Sequence, residues 1–230
     1  MKISVLGTGM VGRALAARLH ELGHDVAIGT RDVAATLTRI TQDPERTREW
    51  REATADIPLL SFRDAGLHAE VILNATAGAH SLAAFDAIGD DALAGKVVLD
   101  LAIPLDLSRG LPPELTIVGD DSLGERIQRA HPQTRVVKSL HTMYYEVMID
   151  PGRLSGSHVV FVGGEDASAK AVVTELLQDL GWPADSVIDL GGIISARATE
   201  MYSRLFFALY AQLETFDFNI QVVRAAVQDS

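Results

Sequence analysis

Short aliphatic runs alternate along this chain with longer segments in which apolar residues recur every three or four positions. Lys2–Leu6 (KISVL) and residues 25–29, 57–62, 70–75, 96–101 and 135–138 read as strands, the inner ones almost continuously apolar, as in a sheet covered on both faces. Between them lie helical spacings. Ala14, Leu15, Ala17, Leu19 and Leu22 form one such face, ended by Gly23, and residues 81–94 and 122–130 have helix length. Strand and helix in strict alternation predict an α/β fold built on a doubly wound parallel sheet, with ligands at the carboxyl ends of its strands. From 33 to 57 the pattern weakens. Asp43-Pro44-Glu45-Arg46 reads as a helix start, so a loop and a short helix are expected before the third strand. Beyond Pro151 come a strand at 158–162, a helix after Asp166 stopped by Gly181 and Pro183, a strand at 187–190, and a long helix at 195–216. The expected organisation is a nucleotide-binding domain over 1–150 and a small C-terminal α/β part over 151–230.

The first unit carries a chemical signature. Lys2–Leu6 leads into Gly7-Thr8-Gly9-Met10-Val11-Gly12, then a helix, then a second strand, all within about 30 residues, the setting in which GxGxxG marks a Rossmann dinucleotide site. The first glycine allows a tight turn, the second leaves room for a pyrophosphate, and the third lets helix and strand pack closely. Free N–H groups at the helix start then face the phosphates. A second strand that selects NAD ends in Asp or Glu, which binds the ribose hydroxyls and repels a 2′-phosphate. Here that slot reads Gly29-Thr30-Arg31, one hydroxyl and one guanidinium fork, so NADP(H) is the expected cofactor. Asp32, one residue further on, argues the other way.

Three further stretches, Ala75-Thr76-Ala77-Gly78, Ile103-Pro104 and His141-Thr142-Met143, follow predicted strand ends and are the expected floor of the cofactor cleft. Ala75, Thr76 and Ile103 make an apolar bed for a nicotinamide. His141 and Thr142 face the gap beyond it as catalytic candidates, able to donate hydrogen bonds where charge develops in hydride transfer, unless His141 only ties down its loop.

The net charge of −11 leaves no overall basic surface for a nucleic acid. No cysteine is present, which removes thiolate chemistry and disulfides, and the scattered histidines give no metal-ligand spacing. No apolar run approaches the roughly 18 residues that span a bilayer. A cytoplasmic protein with small-molecule partners is expected. Leu205, Phe206, Phe207, Leu209 and Tyr210 give the last helix more apolar surface than a solvated helix needs, so it either packs against its own sheet or makes a homodimer contact, and a homodimer is expected.

Taken together, GTGMVG, Gly29-Thr30-Arg31, Asn74-Ala75-Thr76-Ala77-Gly78, Lys96-Val97-Val98-Leu99-Asp100, Val136-Val137-Lys138-Ser139-Leu140-His141-Thr142, Gly163-Gly164-Glu165-Asp166 and Ala196-Arg197-Ala198-Thr199-Glu200-Met201-Tyr202 resemble the NADPH-dependent deazaflavin (coenzyme F420) reductases. The resemblance covers nearly the whole chain. It implies direct hydride transfer between NADP(H) and F420 in one cleft, closed by the C-terminal part of a dimer. It also implies that Thr8, Gly9, Met10 and Val11 meet the pyrophosphate, Thr30 and Arg31 the 2′-phosphate, and Ala75 and Thr76 the nicotinamide. Tyr144, Tyr145 and Glu146 depart from the smaller residues the family would lead one to expect, and aromatic bulk there either stacks a flat cofactor or narrows the pocket against one. Two alternatives compete: an NADPH-dependent imine reductase of the pyrroline-carboxylate type, and a non-enzymatic NADP-sensing module.

Overall fold

The computed structural model describes residues 1–42 and 54–225. The helix start expected at Asp43 to Arg46 lies outside the described residues. β1 (Lys2–Leu6), α1 (Met10–Glu21), β2 (Asp25–Thr30) and α2 (Val33–Gln42) follow the pattern of the sequence. β3 (Leu59–Ser61), α3 (Phe62–His68), β4 (Val71–Asn74) and β5 (Val97–Asp100) continue it, as do α6 (Leu123–Ala130) and β8 (Arg135–Ser139). These six strands, β1 to β5 with β8, are parallel, in the order β8-β5-β4-β1-β2-β3.

The C-terminal residues extend the same sheet. β9 (Val160–Gly163) pairs with β8 antiparallel, and β10 (Val187–Asp189) pairs with β9 in parallel across α8 (Ala167–Asp179). An antiparallel neighbour needs no crossover, so the chain leaves β8 and returns along it after the short α7 (Tyr145–Ile149).

Alternation within each strand divides the apolar residues between two cores. Val71, Leu73, Leu99 and Val137 pack with Leu15, Leu19, Val173 and Trp182 on one face. Ile72, Val98 and Val136 pack with Phe85, Ile88 and Ile127 on the other. That division is why the strands read as unbroken apolar runs.

Several elements are shorter than the pattern suggests. The segment 81–94 is two helices, α4 (Ser81–Ile88) and α5 (Asp90–Leu93), parted at Gly89 with φ +89°. The long terminal helix is α9 (Ala196–Met201) and α10 (Ser203–Leu213), interrupted at Tyr202 and ended by Glu214 at φ +53°. A hairpin of two-residue strands, β6 (Leu105–Asp106) and β7 (Glu114–Leu115), is too short to leave a periodic signal. Helix starts obey local chemistry. Asp166 caps α8 by accepting from Ala169 N at 2.8 Å, and Ser122 caps α6 by accepting from Glu125 N at 3.1 Å.

Candidate functional site

The glycine turn between β1 and α1 is built by two contacts and one open space. Gly7 has φ +112°, and a Cβ on it would stand 2.7 Å from the Ala75 carbonyl oxygen, so the turn and the loop after β4 are pressed together. A Cβ on Gly12 would run into the carbonyl of Gly7. Gly9 differs: beyond its own chain neighbours, no atom of the described residues lies within 4 Å of its Cβ position. Gly9 is the N-cap of α1, no side chain caps the helix, and its first turn carries no acid. Unsatisfied N–H groups and the positive end of the helix dipole therefore face the open side, as anion binding requires.

At the end of β2 the Thr30 hydroxyl is buried and lies 2.9 Å from the Thr36 hydroxyl of α2, so it is not the open donor the sequence suggested. Arg31 is exposed and pairs with no carboxylate among the described residues. Asp32 turns to its own helix, its Oδ1 accepting from Ala35 N at 2.9 Å. Its carboxylate thus acts as the cap of α2.

A cleft of about 390 Å³ opens at the carboxyl edge of the sheet. Met10 and Val11 of α1, the loops after β4 and β5, and the segment after β8 surround it, and α10 closes one side with Ser203, Phe206 and Phe207. Among the expected residues, Met10, Val11, Ala75, Thr76, Ile103 and His141 meet here. Gly7 and Gly12 shape the turn behind it. Thr142 is buried, its Oγ1 has no hydrogen-bond partner among the described residues, and it does not line the cleft.

His141 is placed by a strained turn. Leu140 has φ +64°, and His141 N donates to Ser139 O at 2.9 Å, which closes a γ-turn of the rare left-handed kind. A non-glycine residue held there costs about 1–3 kcal/mol, and such strain concentrates at functional sites. The imidazole is 4% exposed, and neither ring nitrogen has a hydrogen-bond partner among the described residues. Burial first, and the charge of Lys138 second, push its pKa well below the ordinary histidine value; the nearby backbone of Ser139 and Thr199 opposes this without completing a hydrogen bond. His141 is therefore neutral at neutral pH.

Tyr144 and Tyr145 line the cleft, and further rings back Tyr144, among them Tyr210 of the helix expected to make a dimer contact. Tyr144 stacks on Phe216 at 4.4 Å and 11°, and Phe216 stacks on Tyr210 at 3.9 Å and 5°. The Tyr144 hydroxyl reaches Met10 Sδ at 3.9 Å, joining this wall to the start of α1. Burial, then the bond from its hydroxyl to Glu146, push the Tyr145 phenol up to about 12. Both tyrosine and phenylalanine faces are thus uncharged surfaces that a flat ring can meet.

Behind the floor runs a buried polar chain. Thr76 Oγ1 donates to Asn74 Oδ1 at 2.7 Å, and Asn74 Nδ2 donates to Asp100 Oδ1 at 2.8 Å. Lys138 Nζ stands 2.9 Å from Asp100 Oδ2 and 2.8 Å from Glu200 Oε1. Glu200 also accepts from Leu123 N at 2.9 Å and Gly124 N at 3.0 Å, so the start of α6 holds a carboxylate from α9. Burial alone would lower the Lys138 pKa, but the two carboxylates outweigh it and hold the ammonium above the usual lysine value. These residues lie within the stretches that carry the family resemblance, yet their spacing gave no sign that they meet.

The model of a family described as NADP oxidoreductase, coenzyme F420-dependent, matches residues 2–104. A crystal structure from Arthrobacter sp. FB24, described as a candidate F420-dependent NADP-reductase, is 48% identical with a TM-score of 0.90, covering 97% of this chain and 100% of that one. The F420-dependent NADP reductase of Methanothermobacter marburgensis is 27% identical over 219 residues, 91% of this chain and 92% of the relative. Metalloreductase STEAP3 of Rattus norvegicus is 24% identical over 199 residues, which are 86% of this chain but only 36% of that protein's length.

Proposed function

We propose, because this chain belongs to the coenzyme F420-dependent NADP oxidoreductase family, that it transfers hydride between NADP(H) and the deazaflavin F420 in the cleft at the carboxyl edge of its sheet. The residues present fit the dinucleotide. An uncapped α1 with no acid in its first turn and open space over Gly9 suit a pyrophosphate, and Arg31, which meets no carboxylate among the described residues, suits a 2′-phosphate. Bound NADPH would supply the hydride. Ala75, Thr76 and Ile103 provide the apolar bed that keeps water away. The observation that carries the acceptor side is His141, buried, neutral and without a hydrogen-bond partner among the described residues, on the wall of that cleft. A neutral imidazole cannot act as a strong acid, but its N–H can donate to the ring carbonyl on which charge develops. Residues 151–230 are proposed to close the acceptor side, with Tyr144 and Phe206 as flat surfaces.

Rapid mixing of NADPH with F420 tests this reading. The wild type should oxidise NADPH as deazaflavin absorbance bleaches, and His141→Ala should slow that step by about a hundredfold with NADPH affinity unchanged. Absence of any F420 turnover by the wild type would refute the acceptor assignment, and tight NADP binding without turnover would favour the sensing alternative. Solved imine reductases match at 15–17% identity, a likeness that carries the fold alone.

The cofactor preference rests on Arg31. A charged hydrogen bond contributes about 1.5–3 kcal/mol, and each 1.4 kcal/mol is about tenfold in affinity. Arg31→Ala should therefore weaken NADPH by about ten- to a hundredfold and leave NADH nearly unchanged. Equal losses in titrations of the two would argue against a 2′-phosphate contact.

A homodimer in the cytoplasm belongs to the same reading. Phe206 is buried, but Ile194 just before α9, Met201 in α9, and Leu205 and Leu213 in α10 remain exposed. Among the described residues, no helix is long and apolar enough to cross a membrane. Sedimentation at micromolar concentration should give a dimer mass; a clean monomer would exclude this contact.

A further inference from the structure

We infer that Arg39 is a second guanidinium of the 2′-phosphate pocket and shares with Arg31 the selection of NADP(H) over NAD(H). The inference rests on the NADP reading above and adds a residue that its position in the sequence does not disclose, eight places beyond Arg31 on the exposed side of α2.

Four observations converge on it. The Thr30 hydroxyl, expected to meet the phosphate directly, is buried against Thr36 at 2.9 Å. Thr36 is itself 2% exposed, and its Oγ1 accepts from Arg39 Nη2 at 3.2 Å. A hydroxyl has one hydrogen and two lone pairs, so Thr36 can hold both neighbours at once. The threonine pair therefore acts as an anchor beneath a guanidinium. Arg39 lies in the last turns of α2, and helical side chains lean toward the helix start, here the side where β2 ends.

Charge points the same way. Arg18, Arg63, Arg126, Arg129, Arg153 and Arg197 each meet a carboxylate. Arg31 and Arg39 meet none among the described residues, although the chain carries a net charge of −11. The nearest acid in sequence, Asp32, is engaged by the N–H of Ala35. A doubly charged phosphate would give both guanidinium groups the anionic partner that the described residues do not supply. One N–H of Arg39 is used on Thr36, and its remaining donors suit the oxygens of a phosphate.

Calorimetric titration with 2′-phospho-ADP-ribose and with ADP-ribose separates the possibilities without any hydride acceptor. Arg39 is exposed, and Gln has a helix propensity close to that of Arg, so Arg39→Gln keeps the fold. Arg39→Gln should weaken 2′-phospho-ADP-ribose by about tenfold or more and leave ADP-ribose unchanged. Arg39→Lys should fall between, because a point charge survives but the fork does not. Equal weakening of both probes would mean that Arg39 stacks on the adenine or only supports the helix, and would overturn the inference. So would an unchanged affinity for 2′-phospho-ADP-ribose in a protein where Arg31→Ala does weaken it. A wild type that binds the two probes equally would instead remove the NADP reading itself, and this inference with it.

Discussion

Lys138→Met should lower the free energy of unfolding by about 3–5 kcal/mol, although the residue touches neither solvent nor the cleft. Its ammonium stands between Asp100 and Glu200, all three at most 2% exposed. Removing it leaves two carboxylates close together in a dry interior. Each keeps some compensation, Asp100 from Asn74 and Ala102 N, Glu200 from Leu123 N and Gly124 N. Neither regains a cation, and a buried charge without one is the costly case. A domain is stable by only about 5–15 kcal/mol, so the variant would stay folded with a narrow margin. Urea unfolding at neutral pH measures the loss. Adding Asp100→Asn and Glu200→Gln to the variant should recover part of it, because the neutral set carries no unpaired charge. A loss below about 1 kcal/mol for Lys138→Met alone would mean that the ion triad behaves like an exposed pair.

Gly9→Val should abolish NADPH binding while the protein keeps its fold. Gly9 has φ −73° and ψ 177°, an extended backbone open to any residue, and a Cβ there meets no atom of the described residues within 4 Å beyond its own chain neighbours. The cost to stability is that of a poorer N-cap, about 1 kcal/mol or less. The added side chain enters the space over the helix start where the pyrophosphate must lie. Losing two charged hydrogen bonds of about 1.5–3 kcal/mol each lowers affinity by about a hundredfold or more. Titration with NADPH, alongside circular dichroism to confirm the fold, reads both effects. Near-normal binding by a folded Gly9→Val protein would detach the glycine turn from cofactor recognition.

The contrast between Gly9 and its two partners shows how far a motif can be read. GxGxxG predicts the turn, and Gly7 and Gly12 have the close contacts it implies. Gly29-Thr30-Arg31 shows in the sequence that no acid ends β2, but not where the Thr30 hydroxyl points. Thr30 turns inward to Thr36, a partner six residues away whose orientation depends on how α2 packs. Asp32 was ambiguous as a sequence feature. Only the helix it caps assigns its carboxylate. The apolar excess in α10 was visible, but its direction was not. Phe206 and Phe207 line the cleft, and Phe216 returns after Glu214 to stack on Tyr144, so much of that surface serves the site.

By itself the sequence determined the alternation of strand and helix, the dinucleotide turn, the absence of an acid at the end of β2 and the family. Each is a local property, carried by periodicity or by neighbours a few residues apart, where backbone sterics and side-chain direction act directly. Tertiary structure alone decided that β9 runs against β8 and that Lys138 meets Asp100 and Glu200. It also decided that His141 sits buried and neutral behind a strained Leu140, with no hydrogen-bond partner among the described residues, and that Thr36, which holds Arg39, packs in against Thr30. These depend on residues far apart in the chain or on opposite sides of a packed helix. Their energies come from desolvation and from charges brought together, and neither exists until the sheet and its helices have closed.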